Sequence, residues 1–268
     1  MARERLAARR RAQGMTQEQL AQALDVTTST VAHWEQGKST PRAWHRRPLA
    51  DRLEVSLGEL ERLLDVNGQV ALDGHPVPAW LGHLASLEQA ASEIWAYEPT
   101  VVHGLLQTAA YATAVESIGP RPATVEEVAR RVETRMARRA VLDRRPDPLQ
   151  LAVVLDESVL RRRAGDRDVM DAQLDHLAEM AQRPNVDLQV LPLDAGVFSA
   201  AFGAFKVLTS PGVPDPYMAC VEDRAGPHYL DRPHEIEAHT VLFRYLAGVA
   251  LPPDASLDLI HVVKETRR

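Results

Sequence analysis

The sequence predicts two domains of different fold class. Residues 1–65 are expected to form an all-α domain of five short helices, and residues 79–268 an α+β domain with a small, mainly antiparallel sheet. Apolar residues recur at helical spacing up to residue 65, and short runs rich in valine and leucine follow residue 149. Between these regions, residues 66–78 are rich in turn formers and lack periodicity, so we expect a linker there.

Capping and stop signals define the first three helices. Gly14 ends the first helix, and Thr16 with Gln19 has capping-box spacing at the start of the second. Thr27 is placed to cap the third helix, and Gly37 to end it.

The fourth and fifth helices are indicated by proline and by a second capping box. The fourth begins after Pro41, and we expect Pro48 to kink or divide it because proline has no amide hydrogen to donate. Ser56 and Glu59 have capping-box spacing ahead of a leucine-rich fifth helix.

The α+β domain begins with helical spacing that runs from Trp80 to Trp95. Further helices are expected at 105–116, 124–144, 168–182, 234–250 and 256–266. Strands are expected at 149–155, 186–193, 205–208 and 217–222.

Composition places the chain among ordinary globular proteins. Its 268 residues are 45% apolar and 25% charged, which excludes collagen-like, coiled-coil and disordered classes. Cys220 is the single cysteine, so an intrachain disulfide and a zinc site built on cysteine pairs are excluded. The longest uncharged run, 99–115, is too short and polar to span a bilayer, and residues 1–14 lack a signal-peptide core. We expect a cytoplasmic protein without a membrane segment.

The net charge of −6 hides an asymmetry along the chain. Residues 1–65 hold 11 Lys+Arg against 9 Asp+Glu, and residues 66–268 hold 20 against 28. Within residues 1–47 the balance is 9 against 4. A basic segment favours a nucleic-acid partner, although arginine scattered along the whole chain would also produce it.

Residues 17–36 have the pattern of two helices that cross at a fixed angle. Asp25 occupies the turn, and aspartate is among the few residues other than glycine that tolerate a left-handed conformation. The pattern predicts a helix-turn-helix, with an ordinary helical hairpin as the alternative. Its apolar positions are Leu20, Ala21, Leu24, Val26, Val31 and Trp34.

Two parts of the chain resemble known families. Residues 1–65, with MTQEQLAQALDVTTSTVAHWEQGKSTP, resemble the phage-repressor-type (xenobiotic-response-element) helix-turn-helix domain. Later stretches are similar to a C-terminal domain of unknown function carried by many actinomycete regulators, which are called antitoxin-like and are often encoded beside a small partner protein. These stretches are VVHGLLQTAAYA (101–112), RMARRAVLDRR (135–145), LDESVLRRRAG (155–165), PNVDLQVLPLDAG (184–196) and FGAFKVL (202–208). His103 replaces the usual proline, and residues 136–139 lack the common arginine-glutamine pair.

The helix-turn-helix implies contacts with double-stranded DNA. A helix at about residues 28–36 should enter the major groove, while the preceding helix directs its N-terminus at phosphate. Base-facing positions are Thr28, Ser29, Ala32 and His33. By resemblance, the phosphate contacts are Gln17, Thr27, Gln36, Lys38 and Arg42. No base-facing residue is an arginine, asparagine or glutamine, so we expect modest direct readout, with DNA shape contributing.

Two further groups of polar residues have open interpretations. His103, Gln107 and Tyr111 recur at i, i+4 and i+8 near Trp95, which predicts a ligand pocket or ordinary packing against the sheet. The arginine-rich helix at 126–145 predicts a solvated face with Glu126–Arg130 and Glu127–Arg131 pairs, or an anion-binding surface. The N-terminal arginines are expected to divide between solvent and phosphate. They are Arg3, Arg5, Arg9, Arg10 and Arg11.

Catalytic and metal motifs are not supported by the sequence. His234-Glu235 is followed by His239 at i+5, one residue beyond the zinc-protease spacing. The carboxylates of Asp156 and Glu157 are explained by capping from Ser158 or by an ion pair with Arg161. We expect no enzyme, cofactor or metal.

The expected function is that of a homodimeric transcriptional regulator whose C-terminal domain dimerises and receives a small-molecule or protein signal. Two alternatives remain: an antitoxin-like protein that sequesters a small protein partner, and an enzyme domain tethered to DNA.

Overall fold

The computed structural model describes residues 3–39, 41, 43–64, 69–72, 75–118, 123–196, 203–212, 215–223 and 226–267. The chain divides into two compact units, Met1–Ala90 with His228–Asp231 and Ala91–Pro227 with Arg232–Arg268. The first unit therefore continues past the segment 66–78, for which the sequence predicts a linker. Residues 69–72 and 75–78 of that segment pair as an antiparallel hairpin.

The first unit is mainly helical. Its elements are α1 (Glu4–Ala12), α2 (Gln17–Ala23), α3 (Thr28–Glu35), α4 (Ala43–Leu53), α5 (Leu57–Leu63), β1 (Gln69–Leu72), β2 (His75–Pro78) and α6 (Ala79–Ala90). The five short helices expected before residue 65 are confirmed. Pro48 lies inside α4 and does not divide this helix, so of the two expected effects only a kink remains as a prediction. A helix can continue through a proline, although it loses the hydrogen bond that the proline cannot donate.

Local signals fix the turn between α2 and α3. Thr16 and Gln19 form the expected capping box, with bonds in both directions. Asp25 has a φ of 52°, the left-handed conformation expected from the sequence. Thr27 then caps α3 by accepting a hydrogen bond from the Thr30 amide at 3.2 Å. The core positions expected at this crossing are buried, apart from the half-buried Val26; the buried ones are Leu20, Ala21, Leu24, Val31 and Trp34.

The second unit combines strands and helices. Its elements are β3 (Glu93–Glu98), α7 (Ala109–Glu116), α8 (Val125–Arg138), β4 (Gln150–Asp156), α9 (Glu157–Arg161), α10 (Arg167–Met180), β5 (Val186–Leu191), β6 (Phe205–Thr209), β7 (Pro216–Asp223), β8 (Gly226–Leu230), α11 (Pro233–Val249) and α12 (Pro253–Thr266). Residues 228–230 of β8 are counted with the first unit. Short 3-10 helices occupy Gly104–Leu106, Arg139–Leu142 and Leu193–Ala195.

The sheet is larger than expected and mixed in direction. Its strand order is β5-β4-β3-β6-β7-β8. β4 pairs in parallel with both β3 and β5, whereas β6 pairs antiparallel with β3 and β7. The prediction of a small, mainly antiparallel sheet is therefore wrong. Helices α9 and α10 lie between β4 and β5 in the chain, and such a crossover connection makes consecutive strands parallel.

The central strand β3 separates two environments, because successive side chains of a strand point to opposite faces. Trp95 stacks on Phe243 of α11 with ring centroids 5.5 Å apart, and Tyr97 packs against Phe205 at 6.0 Å. Glu98 points to the other face, where His103 lies 3.9 Å away.

The last two helices follow β8. α11 buries Ile236, Thr240, Phe243 and Leu246, while Val241, Tyr245 and Val249 remain exposed at i, i+4 and i+8. Within the residues that the structure describes, no single helix is long and apolar enough to cross a membrane. One pair, α11 with α12, meets length and composition criteria together but is bent by 68°.

Candidate functional site

The outer face of α3 holds the four predicted base-facing residues. Thr28, Ser29 and His33 are exposed and Ala32 is half-buried. Thr28 and His33 make no side-chain hydrogen bond to any other described residue, whereas the Ser29 hydroxyl lies 2.8 Å from Thr27 Oγ1. Trp34, on the inner face, is buried as expected. α3 thus presents two hydrogen-bonding side chains and small apolar groups to solvent.

Glu35, at the end of α3, ties this helix to α1 and α2. Its carboxylate accepts hydrogen bonds from Arg10 at 2.6 and 3.1 Å and from Gln17 Nε2 at 2.6 Å. The side chains of Arg10 and Glu35 are each 7% exposed. Burial raises the pKa of the Glu35 carboxyl, but these hydrogen bonds and the Arg10 charge outweigh burial and hold its pKa below the ordinary value. The pair is therefore ionised near neutral pH.

Some of the predicted phosphate-contact residues are exposed, and others use their side chains for hydrogen bonds within the first unit. Gln36 and Lys38 are exposed just beyond α3. Gln17 is half-buried and its side-chain amide is engaged by Glu35, while the Thr27 hydroxyl caps α3. Arg42 lies outside the described residues.

Three of the N-terminal arginines bind carbonyl groups inside the first unit. Arg3 donates to the carbonyls of Trp34 and Ser39, at 3.1 and 2.7 Å. Arg9 donates to the Leu53 and Glu54 carbonyls at the end of α4, at 2.8 and 2.7 Å.

The third of these arginines, Arg10, binds the Met15 carbonyl besides Glu35. Arg5 and Arg11 are exposed. The N-terminal arginines therefore divide between internal bonds, which the sequence did not predict, and solvent.

Three predicted ligand-site residues of the second unit come together in its interior. His103 and Gln107 are fully buried and Tyr111 is 2% exposed. Gln107 donates to the Val102 carbonyl at 2.7 Å, and the Val102 amide donates to the Tyr111 hydroxyl at 3.3 Å. Of the three residues, Tyr111 lies in α7, whereas His103 and Gln107 lie in the segment between β3 and α7. This segment brings them next to Tyr111. Trp95 lies on the opposite face of the sheet.

A group of charges, which we call the Glu98 cluster, surrounds the buried Glu98 and His103. Arg138 and Lys206 are also buried, whereas Arg135 is half-buried and Glu222 is 40% exposed. Lys206 of β6 pairs with Glu222 of β7. A Cβ atom at Gly104 would lie 3.6 Å from an Arg135 nitrogen and 3.8 Å from an Arg138 nitrogen, which are ordinary contact distances, so both guanidinium groups lie beside this residue. The members of the cluster are Glu98, His103, Arg135, Arg138, Lys206 and Glu222.

Burial dominates the protonation of this cluster. It raises the pKa of Glu98 to about 7, with the Glu222 charge adding to the effect and Lys206 opposing it. Burial, assisted by the Lys206 charge, holds the pKa of His103 well below its ordinary value. The Lys206 charge outweighs burial at Glu222 and lowers its pKa. His103 is therefore neutral at pH 7, and Glu98 is divided between its two protonation states.

The sequence interpretation missed Glu98, Lys206 and Glu222. A signal was present, because Lys206 interrupts the apolar run FKVL and each glutamate ends an apolar strand. Charged residues are rarely buried unless they are paired, so such interruptions of a strand pattern mark candidates for buried ion pairs.

The arginines of α8 pair differently from the prediction. Arg131 and Arg135 both reach Glu116 of α7. Glu127, the partner predicted for Arg131, instead completes a capping box with Thr124. The arginines of α8 therefore form ion pairs with α7 and take part in the Glu98 cluster.

The two histidines of α11 lie in different surroundings, and one of them has a packing role. The His239 ring meets Phe205 edge-on at 5.3 Å, and its Nδ1 lies 2.7 Å from the Glu235 carbonyl oxygen. His234 is exposed. Across the described ranges, no group of three or more His, Cys, Asp and Glu side chains could hold a metal ion.

The carboxylates at the start of α9 serve local structure. Asp156 caps the helix by accepting from the Ser158 amide at 2.9 Å, so the cap is Asp156 and not Ser158. Glu157 forms the expected ion pair with Arg161, at 2.6 Å.

Comparison with protein-family models gives two matches. Residues 81–262, more than half of the chain, match a domain of unknown function (DUF5753), and residues 6–60 match a helix-turn-helix family. No curated protein and no solved structure matches the chain significantly. The two matched ranges confirm the resemblances found in the sequence.

Proposed function

We propose, from the premise that this chain belongs to the DUF5753 family and joins that domain to a DNA-binding helix-turn-helix, that it regulates transcription by reading an operator sequence. The exposed face of α3 carries the proposal. Its side chains point away from the core formed by Val31 and Trp34, as required of a helix whose N-terminal half enters the major groove.

The proposed contacts divide by chemistry. Methyl groups of Thr28 and Ala32 suit thymine methyls, and His33 and Ser29 can hydrogen-bond base edges. The phosphate contacts are assigned to Gln17, Thr27, Gln36, Lys38 and Arg42. Because Glu35 holds the Gln17 side chain, we assign the phosphate contact of Gln17 to its backbone amide in the first turn of α2.

A second copy of the chain completes the proposed operator complex. One recognition helix of eight residues covers only a half-site, and helix-turn-helix proteins usually bind two half-sites as a two-fold dimer. We assign the dimer interface to the exposed apolar stripe of α11, formed by Val241, Tyr245 and Val249.

The second unit is proposed to receive a small-molecule or protein signal. The whole protein is proposed to act in the cytoplasm, as a regulator and not as an enzyme. The division of the chain supports this assignment, because the helix-turn-helix match ends at residue 60 and most of the chain lies beyond it.

Selection of bound sequences from random double-stranded DNA with the full-length protein tests the proposal. We expect a two-fold symmetric site with half-sites about one helical turn apart, without a run of invariant guanines. His33→Ala should relax the preference at one position per half-site, by about 1–3 kcal/mol. Gln22→Ala, an exposed change on α2, is the matched control and should leave the preference unchanged. Recovery of no enriched sequence would refute operator reading, and a guanine-dominated site would refute the contact assignment.

A further inference from the structure

Four arginines from three elements surround a cavity of about 380 Å³ in the second unit. It is bordered by the end of α9, the start of α10 and the end of α12. We propose that this cavity, the arginine pocket, binds a small molecule that carries a phosphate group. Its lining residues are Arg161, Arg163, Arg167, Val263, Thr266 and Arg267.

The arginine pocket has more positively charged side chains than there are carboxylates paired with them. Arg161 pairs with Glu157 at 2.6 Å, and Arg167 approaches Asp171 at 3.4 Å. Arg163 is exposed and has no ion pair or hydrogen bond with any part of the chain that the structure describes. Two carboxylates therefore face four guanidinium groups.

The contacts of Arg267 and Asp166 do not remove this excess. Arg267 donates to the neutral Leu160 carbonyl at 2.7 Å. Asp166, between the two arginines in sequence, caps α10 by accepting from the Val169 amide at 3.0 Å and does not line the cavity. An anion in the pocket would meet an excess of cations.

Several contacts hold the pocket in shape before any ligand arrives. Glu157 uses one oxygen for Arg161 and the other to accept from the Leu193 amide at 2.9 Å. The Leu160 carbonyl fixes Arg267 in the same way. Fixed side chains lose little entropy on binding, so Arg161 and Arg267 are preorganised for a ligand, whereas the exposed Arg163 would have to become ordered when the ligand binds.

The chemistry of the lining selects the ligand class. The planar guanidinium group donates two parallel hydrogen bonds, which match the oxygens of phosphate. The volume lies in the range of small-molecule sites, so the pocket has room for a phosphate group and for an uncharged part attached to it. A nucleoside monophosphate or a sugar phosphate has both features.

Calorimetric titration of the full-length protein with inorganic phosphate and with adenosine monophosphate, at matched ionic strength, tests the proposal. We expect saturable binding of at least one ligand, weakened about tenfold or more by Arg163→Gln and by Arg267→Gln. Arg130→Gln, which removes an exposed arginine of α8, should bind like the wild type. Arg163 makes no internal contact with the described residues, so its replacement should leave folding intact.

The phosphate groups of DNA are the other source of this chemistry, and a parallel titration with operator DNA separates the two. If Arg163→Gln weakens DNA binding while neither small phosphate binds, the pocket serves the DNA backbone and the proposal fails. Absence of saturable binding, or equal binding by wild type and Arg163→Gln, also overturns it. Neither result depends on operator reading by α3, since small-phosphate binding is measured without DNA.

Discussion

Glu35 shows how a single residue can position the helix that is proposed to read DNA. Its two oxygens receive Arg10 from α1 and Gln17 from α2, so the end of α3 is bonded to both preceding helices. A buried ion pair contributes little net stability compared with apolar packing, but loss of one partner leaves an uncompensated buried charge. The pair therefore has a strong effect on geometry and a modest effect on overall stability.

Glu35→Gln is expected to destabilise the first unit by about 3 kcal/mol, because Arg10 stays buried without a counter-charge. Hydrogen exchange of the α3 amides in the full-length protein measures this loss. The double variant Arg10→Met with Glu35→Leu removes both charges and should recover much of the protection. A double variant that is as unprotected as Glu35→Gln would show that the uncompensated charge is not the cause.

Glu98→Gln is expected to stabilise the second unit at pH 8 more than at pH 5. The pKa of Glu98 is about 7 in the folded state, above the ordinary value of 4.5, so the folded protein binds the proton more tightly. The resulting stability is complete below pH 4.5 and is lost as the pH rises to about 7. Glutamine is neutral at every pH, so the variant keeps this stability as the pH rises.

Thermal unfolding of the wild type and Glu98→Gln between about pH 5 and pH 8 checks this prediction. The difference in melting temperature should widen up to about pH 7 and then level off. Glu237→Gln, which changes an exposed glutamate of α11, is the control. A constant difference across this range would contradict a raised pKa at Glu98.

At the scale of elements, the turn between α2 and α3 depends on the conformation of Asp25. Its φ of 52° costs a residue with a β-carbon about 1 kcal/mol or more, although less for aspartate and asparagine, and glycine, which has no β-carbon, avoids this cost. Asp25→Gly should leave the free energy of unfolding nearly unchanged, and Asp25→Val should lower it by about 1 kcal/mol or more. Urea unfolding, monitored by hydrogen exchange of the α2 and α3 amides, measures the stability of the two variants. Equal stability of Asp25→Gly and Asp25→Val would contradict the role of the left-handed conformation.

The exposed stripe on α11 makes dimerisation testable. Val241→Glu places a charge within the proposed interface, where its desolvation would oppose association. We expect the variant to be monomeric in sedimentation equilibrium at concentrations where the wild type is dimeric. Glu179→Lys, an exposed change on α10 and away from this stripe, is the matched control and should remain dimeric. A dimeric Val241→Glu protein would place the interface elsewhere.

Helix and strand periods explain which elements the sequence could predict. The caps at Thr16, Thr27 and Thr124 are local signals, and the helices that they begin lie where expected. β3 was missed because Ile94 and Trp95 continue the apolar spacing of the preceding helix, although α6 ends at Ala90. Pairing with β4 and β6 makes these residues a strand, and such long-range pairing leaves no local pattern.

Side-chain sites show the same limit. The outward positions Thr28 and His33 follow from the helical period of α3, so the sequence could place them on one exposed face. Glu98, Lys206 and Glu222 come together only through the order of strands in the sheet. The arginine pocket likewise joins Arg163 to Arg267, which are distant in sequence and meet only in the folded second unit.

At the scale of the whole molecule, charge is divided between the two parts of the chain. Residues 1–65 carry 11 cationic against 9 anionic side chains, and residues 66–268 carry 20 against 28. We expect the acidic excess of the larger part to disfavour its contact with DNA, so that only the basic residues near the N-terminus approach phosphate. The overall charge of −6 is then compatible with DNA binding.

The salt dependence of DNA binding tests this charge division in the intact protein. If each half-site of a dimer neutralises about four phosphates, the logarithm of affinity should fall with the logarithm of salt concentration at a slope of about −7. Lys38→Gln removes one proposed phosphate contact per protomer and should make the slope shallower by about 2. His33→Ala should weaken binding and leave the slope unchanged, since it touches bases. Fluorescence anisotropy with operator DNA measures all three proteins, and a wild-type slope near zero would exclude DNA binding through phosphate contacts.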